Sequence, residues 1–504
     1  MFDIVNLLGG IWKIFTKRDC LLLLLIILLY FATRLINLDA FPIFSDEGIY
    51  IRWAKIAWHD ASWRFISLTD GKQPLQTWGT IPFLKLFPDN ALLAGRLFSV
   101  STGFVTLAGV FSFLCYLFGK RSALFGAFFY VFTPYFMFYD RMALVDSGVN
   151  AAFIWILFFS VLLARSRRLD VALLFGFLGG MSALTKSSVR IFIGLSSLAF
   201  ILFLERNKRK FLRQLTNFFS LYIVVGMFTV LIYNIQRLSP FFHYISEKNK
   251  TFVMTFQEFA QNPFAVFFTN VPLVPLYVLW EMAFFLGFCG VVGLILLYRK
   301  DKKLSFYFLL WLVVPYIVII FLSKVIFPRY LIFFASLLLI LASYFYSRLK
   351  NKKTLIAFVC LFIISIAYFD FTIVKDHKNI PFPPVDRGQY IEGWPAGWGV
   401  KSIIDFAREK SKEKPVIVLA EGNFGLSGDV LDTHLKPGDA ISIRGFWPLE
   451  EKQLRDHQGQ LDKNYVFIVV SHRLDYPQQW PAKFIARYDK PGNQSRIFLL
   501  ELTK

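Results

Sequence analysis

The 504-residue chain is 56% hydrophobic and 18% aromatic, with a formal net charge of +21. That composition excludes an ordinary soluble enzyme and implies many membrane spans. The charge excludes a nucleic-acid-binding stripe as well, because it sits in short clusters between apolar runs, whereas residues 375–504 hold 19 lysines and arginines against 17 acidic residues.

Apolar runs of spanning length fall near 20–36, 91–117, 122–138, 148–164, 171–185, 189–204, 217–234, 274–298, 304–322, 331–347 and 354–370. They predict about 11 transmembrane helices. The first run lacks a small-residue cleavage site and reads as a retained anchor. Basic clusters mark every second connection: Lys13/Lys17/Arg18, Lys120/Arg121, Arg165/Arg167/Arg168, Arg206/Lys208/Arg209/Lys210/Arg213, Arg299/Lys300/Lys302/Lys303 and Arg348/Lys350/Lys352/Lys353. Basic loops stay inside, so the N-terminus is expected in the cytoplasm of a multi-pass plasma (inner) membrane protein. Residues 37–90, 139–147, 186–188, 235–273, 323–330 and everything after 370 then lie outside.

In the first outer loop, Asp46 and Glu47 follow Ser45 and precede Gly48, which leaves room beside them. The pattern reads as a helix start, with Ser45 as cap and both carboxylates in the first turn against the dipole. Such a start is also a good way to aim a base, and carboxylates at the mouth of a bundle are costly unless functional or paired. Trp53, Trp58, Trp63 and Trp78 in 37–90, and Phe241, Phe252, Phe256 and Phe259 in 235–273, suggest interfacial helices. Cys20, Cys115, Cys289 and Cys360 fall within or beside apolar runs and form no disulfide framework or zinc spacing, so no metal is expected.

Residues 371–398, rich in Pro, Gly and Trp, read as a linker, and 399–504 as a small extracytoplasmic α/β domain. Its pattern gives a helix from Val400 to Lys410 and strands near 415–420, 440–443, 465–471, 484–488 and 496–502, with a helix at 449–456. His434, His457 and His472 lack metal-ligand spacing.

Ionisable residues recur where spans emerge outside: Lys72, Arg141 and Asp146, Lys186, and Arg329 beside Tyr330. Singly they could snorkel, or Arg141 could pair with Asp146. All on one face, with Asp46 and Glu47, they suit an anionic lipid and a proton transfer.

These segments resemble the GT-C membrane glycosyltransferases, in particular the superfamily of protein O-mannosyltransferases and aminoarabinose transferases. The resemblance rests on Asp46-Glu47, Gly71-Lys72-Gln73-Pro74-Leu75 before Trp78, Arg141 to Asp146, Leu184-Thr185-Lys186 and Arg329-Tyr330-Leu331. Gln73 departs from the proline common after that lysine, and Ser187-Ser188 from the usual Gly-Pro. The resemblance implies a polytopic α-helical catalytic domain over 1–370. Its reaction would move a sugar from a polyprenyl-phosphate-linked donor to a lipid, glycan or protein acceptor on the extracytoplasmic face. The displacement would be inverting and would use no cofactor and no catalytic metal. Asp46 would be the base, with Glu47 and Asp146 in the catalytic set, while Lys72, Arg141, Lys186, Arg329 and Tyr330 would bind substrate. The competing readings are a flippase for a lipid-linked sugar and a non-catalytic envelope assembly protein. Transporters place charge near mid-membrane within inverted repeats; here the charges sit at span ends and no repeat is evident.

Overall fold

The computed structural model describes residues 15–205, 207–422 and 424–504. Lys13 and Arg206, read above as part of the inner basic clusters, lie outside the described residues. The leucine-rich first helix, α1 (Lys17–Leu35), starts at a capping box in which Thr16 and Asp19 satisfy each other's backbone groups. It buries Ile26, Tyr30 and Arg34, spaced four apart along one stripe, with Leu29 and Phe31 half-buried beside them and most of the other leucines exposed.

The stretch 37–90, expected as the first outer loop, folds into α2 (Ser45–His59), two short 3-10 turns and α3 (Leu75–Leu86). The bundle continues with α4 (Ala91–Phe118), α5 (Lys120–Phe132), α6 (Pro134–Tyr139), α7 (Val145–Ser166) and α8 (Leu169–Ala183). Among the described residues six helices are long and apolar enough to cross a membrane: α4, α7, Lys208–Leu238, Lys302–Leu322, Pro328–Arg348 and Lys352–Lys375. A seventh span results if Phe267–Glu281 and Phe285–Lys300, bent by 109° at their junction, are one. Length alone therefore does not reach eleven spans. The causes are local: Pro134 ends α5 and starts a new helix, Ala283 and Phe284 adopt positive φ at the bend, and Val189–Ser196 tightens into a 3-10 segment, Ser197–Phe203. The α7 helix and Pro328–Arg348 are largely buried and form the middle of the bundle, while Lys208–Leu238 and Lys352–Lys375 are mostly exposed at its rim.

The C-terminal domain is a five-stranded sheet of order β2-β1-β3-β5-β4, with β1 (Val416–Glu421), β2 (Ile441–Phe446), β3 (Tyr465–Val470), β4 (Ala482–Asp489) and β5 (Arg496–Leu502). β2, β1 and β3 run parallel, and Val418 pairs with Ile443 on one side and Phe467 on the other. Every residue of β1 is buried, which is why it reads as an unbroken apolar run. The pattern anticipated all five strands and the Val400–Ser411 helix. It missed the short Gly428–Thr433 helix, whose polar sequence carries no periodic signal.

That short helix docks the domain onto α2. Asp429 meets Arg52 at 2.6 Å, and Lys55 Nζ donates to the Asp432 carbonyl at 2.6 Å. The stretch read as a linker is also tied in: Phe44 and Ala396 form an antiparallel bridge, Ser45 N donates to Pro395 O at 3.0 Å, and Gly397 N donates to Ile43 O at 2.8 Å. The α2 helix is thus held between bundle and sheet domain, and Trp53, expected at a membrane interface, is buried inside the protein. Gly48 is the point of closest approach, since a Cβ there would lie 2.7 Å from Val430 Cγ2 and 3.0 Å from its Cα. Gly48→Val should therefore cost about 1–3 kcal/mol by overpacking. The measurable result is a lower Tm in detergent together with new protease cleavage within 371–398. Wild-type Tm and resistance would contradict this tight docking.

Candidate active site

The two adjacent carboxylates of α2 have opposite surroundings. Phe44, not Ser45, is the N-cap residue, and Ser45 Oγ instead accepts the Leu426 N–H of the sheet domain at 3.1 Å. Glu47 is fully buried. Its oxygens accept from Arg96 Nε and NH2, each at 2.8 Å, from Ala143 N at 2.7 Å and from Phe44 N at 2.9 Å. Those bonds occupy the carboxylate and anchor the helix start.

Asp46 points elsewhere. Its carboxylate lies 3.0 Å from Arg329 NH2 and 3.7 Å from Lys72 Nζ. Lys72 also approaches Asp70 at 3.6 Å, and Asp70 takes Lys248 from the 235–273 loop at 2.6 Å. The Lys72 ammonium sits 5.0 Å above the Tyr50 ring and 5.7 Å above that of Trp53. Its loop is held by Gly71, whose φ of +63° and approach to the Tyr244 carbonyl (2.4 Å from a would-be Cβ) admit only glycine.

Asp146, in the first turn of α7, holds Lys186 at 2.9 Å. Lys186 in turn lies 3.9 Å above the Tyr330 ring, next to Arg329. Asp46, Lys72, Asp146, Lys186, Arg329 and Tyr330 therefore share one continuous cluster. Gln73 and Ser187, the two departures from the family pattern, contact each other: Gln73 Nε2 donates to Ser187 Oγ at 2.7 Å, beside a backbone bond from Leu75 N to Leu184 O at 3.1 Å. They join the Lys72 and Lys186 loops.

Arg141 stands apart. Its guanidinium donates to the carbonyls of Thr33 (2.8 Å), Arg34 (3.0 Å) and Asn37 (3.1 Å), so it caps the end of α1 rather than pairing with Asp146. The neighbouring Asp140 pairs with Arg34 at 3.2 Å. Sequence reasoning missed Arg34, Asp70, Arg96, Lys248, Asp386 and Tyr390. Only Asp70, immediately before Gly71-Lys72, offered a local signal.

Burial is the largest single effect on Asp46 and raises its affinity for a proton, but Lys72, Arg329, Lys186 and Lys248 together outweigh it, and the carboxyl lies below its ordinary value. Burial likewise disfavours the Lys72 cation, yet Asp46, Tyr50 and Asp70 hold it above the ordinary lysine value. Both are charged at neutral pH. The cluster has four cations (Lys72, Lys186, Lys248, Arg329) against three carboxylates (Asp46, Asp70, Asp146), leaving one net positive charge for an anion. Met254, Phe256, Phe259, Ile317 and Phe321 line an apolar groove of about 470 Å³ along the Lys302–Leu322 helix.

Behind Arg329 lies a further acid. Arg329 NH1 donates to Tyr390 OH at 3.3 Å, and Asp386 Oδ2 accepts Tyr139 OH at 2.5 Å. Burial is the main force on the Asp386 carboxyl, which also abuts Glu281, and it is pushed up to about 7 from 3.8. The folded protein keeps a proton that the unfolded chain releases, so this stabilisation is complete below the ordinary value and is lost as pH rises through about 7. Tm should fall between pH 5 and pH 8, and Asp386→Asn should flatten that fall. An identical slope in the variant would contradict the assignment.

Residues 72–233 match the family model described as dolichyl-phosphate-mannose-protein mannosyltransferase. Among solved structures the chain is similar to ArnT from Cupriavidus metallidurans in the apo state, with TM-score 0.62 and 15% identity over 95% of this chain and 97% of that one. The same protein bound to undecaprenyl phosphate gives TM-score 0.61 and 14% identity over the same shares. The archaeal oligosaccharyltransferase AglB from Archaeoglobus fulgidus, in complex with an inhibitory peptide and a dolichol-phosphate, gives TM-score 0.53 and 12% identity over 90% of this chain and 69% of that one. No curated protein sequence matches. The chain thus shares the fold of ArnT over nearly its whole length, and residues 72–233 match the mannosyltransferase family model in sequence.

Breaking a buried ion pair by removing one partner costs about 3–5 kcal/mol. Glu47→Gln and Arg96→Met should therefore lower Tm sharply, while Asp46→Asn leaves it near wild type. A Glu47→Gln variant with wild-type Tm but no turnover would move the chemistry to Glu47.

Proposed function

We propose that this chain, with the GT-C fold as premise, is an inverting glycosyltransferase. It takes a sugar from a polyprenyl-phosphate-linked donor and passes it to an acceptor hydroxyl on the extracytoplasmic face of the membrane. The observation that carries this reading is the Asp46 carboxylate shared between Lys72 and Arg329 at the mouth of the bundle.

The acceptor oxygen attacks the anomeric carbon, the bond from that carbon to the phosphate oxygen breaks, and the acceptor proton passes to Asp46. The donor phosphodiester carries one negative charge and the departing monoester close to two. Fixed cations beside it gain attraction as the bond breaks, which is differential binding of the transition state. Lys72 and Arg329 serve the leaving group in this scheme, and Lys186, held by Asp146, extends the same positive surface. At rest those cations neutralise Asp46 and make it a weak base. A donor phosphate that engages them removes its counter-charges and raises its basicity, so base activation follows donor binding. The apolar groove at Met254–Phe259 suits the polyprenyl tail. Glu47 positions the helix start and Arg141 the end of α1; neither touches substrate in this scheme.

Asp46→Asn should lower turnover by roughly 10²–10⁴, the range for a lost general base. Binding of polyprenyl phosphate alone should hold or tighten, because a competing carboxylate has gone. Lys72→Ala should weaken both binding and turnover, and Lys72→Arg should recover only part, since a fork replaces a point charge. The assay uses purified protein with a panel of labelled polyprenyl-phosphate sugars. Normal turnover in Asp46→Asn would remove it as base, and tolerance of both substitutions would favour a non-catalytic assembly protein.

A further inference from the structure

At the edge of the sheet domain lies a partly exposed aromatic cluster that the proposed chemistry leaves unused. From β1 the sheet extends to β2 on one side and β3 on the other, so the strand order reverses between β1 and β3. In open α/β sheets, ligands settle beyond the carboxyl ends of the strands at such a reversal. Glu421 ends β1, Ser471 and His472 follow β3, and Ser427 precedes the Gly428–Thr433 helix. Ser427 Oγ and Ser471 Oγ are 2.8 Å apart, His472 Nδ1 is 3.0 Å from Ser471 Oγ, and His472 N donates to Glu421 Oε2 at 3.2 Å. His472 Nε2 has no partner among the described residues.

Two indoles flank this imidazole: Trp394 at 5.0 Å and Trp447 at 4.9 Å between ring centroids. They are 50% and 61% exposed, so each large ring keeps much of its surface open. The position of Trp394 is fixed from within. Lys490, 1% exposed, donates to the carbonyls of Gly393 (3.2 Å) and Trp394 (2.9 Å). The next carbonyl, Pro395 O, accepts the backbone N–H of Ser45, the residue before Asp46.

We propose that Trp394, Trp447 and His472 form a carbohydrate-binding platform that seats the acceptor, whose reacting end is then a sugar rather than a polypeptide. The inference rests on the transferase reading above and narrows its acceptor. A pyranose presents an apolar C–H face that stacks on an indole and a hydroxyl edge that pairs with imidazole and serine. The local charge fits a neutral ligand: Glu421 is paired with Arg473, and Lys490 is spent on backbone carbonyls. A headgroup-level anchor for an anionic membrane would instead show free cations around the indoles.

The test titrates the purified full-length chain, in detergent, with neutral hexose and N-acetylhexosamine trisaccharides and reads tryptophan fluorescence. At least one trisaccharide should bind wild type and Asp46→Asn alike. Trp394→Ala and Trp447→Ala should each weaken that binding tenfold or more, and Lys490→Met should weaken it while both indoles remain. Circular dichroism and Tm confirm that each variant is folded. The proposal is overturned if no trisaccharide binds or if folded tryptophan variants bind like wild type. It is equally overturned if the tryptophans govern binding to phosphatidylglycerol vesicles and not to saccharide. The transferase reading fails separately: Asp46→Asn would keep normal turnover while the platform still bound sugar.

Discussion

The contact on which the arrangement depends is the buried pairing of Glu47 with Arg96. The guanidinium donates to both carboxylate oxygens and to the carbonyls of Leu38, Phe41 and Pro42, while the carboxylate also takes the N–H groups of Phe44 and Ala143. Two charges removed from water are tolerable only when almost every donor and acceptor is used, as here. The pair therefore fastens the turn after α1, the start of α2, the body of α4 and the turn before α7 at a single point. It leaves the first turn of α2 little freedom, and so fixes the direction in which Asp46 projects.

Neighbours in sequence, Asp46 and Glu47 divide the work of a carboxylate between them. One is enclosed by an arginine and backbone N–H groups; the other is held between the side chains of Lys72 and Arg329. The same economy governs the cations. Arg141 binds backbone carbonyls and Arg96 a carboxylate that backbone N–H groups also fill, whereas Lys72, Arg329 and Lys186 bind Asp46 and Asp146, which among the described residues have only these cations as partners. A basic residue's partner, more than its position at a span end, separates the two groups.

Much of this was legible in sequence. Asp46, Lys72, Asp146, Lys186, Arg329 and Tyr330 stood out as polar residues at the ends of apolar runs, and the strands of the sheet domain as short β-branched runs. What was hidden depends on distant partners. Glu47 and Arg96 lie 49 positions apart, and Asp70 and Lys248 lie 178 apart, so no local pattern joins them. Arg141 misled because the carbonyls it caps leave no mark on side-chain composition. The number of spans is less legible, because a helix restarted at Pro134 and a sharp bend at Ala283 and Phe284 divide apolar runs into shorter pieces. The tryptophans of 371–398 looked like linker because Pro and Gly dominate there, yet those same residues allow the stretch to lie against the first outer loop.

That last contact has a consequence for how the protein is made. The strap around Pro395 and the Ser45–Leu426 bond place chain synthesised late against chain synthesised early. Spans emerge and pack in order, but the first turn of α2 lacks the wall formed by Leu426 and Pro395 until the sheet domain has folded. Folding proceeds largely from the N-terminus during synthesis, and contacts of such long sequence separation form last. A partly synthesised chain thus carries its bundle charges with Glu47 already able to pair with Arg96, while Ser45 still lacks its partners Leu426 and Pro395.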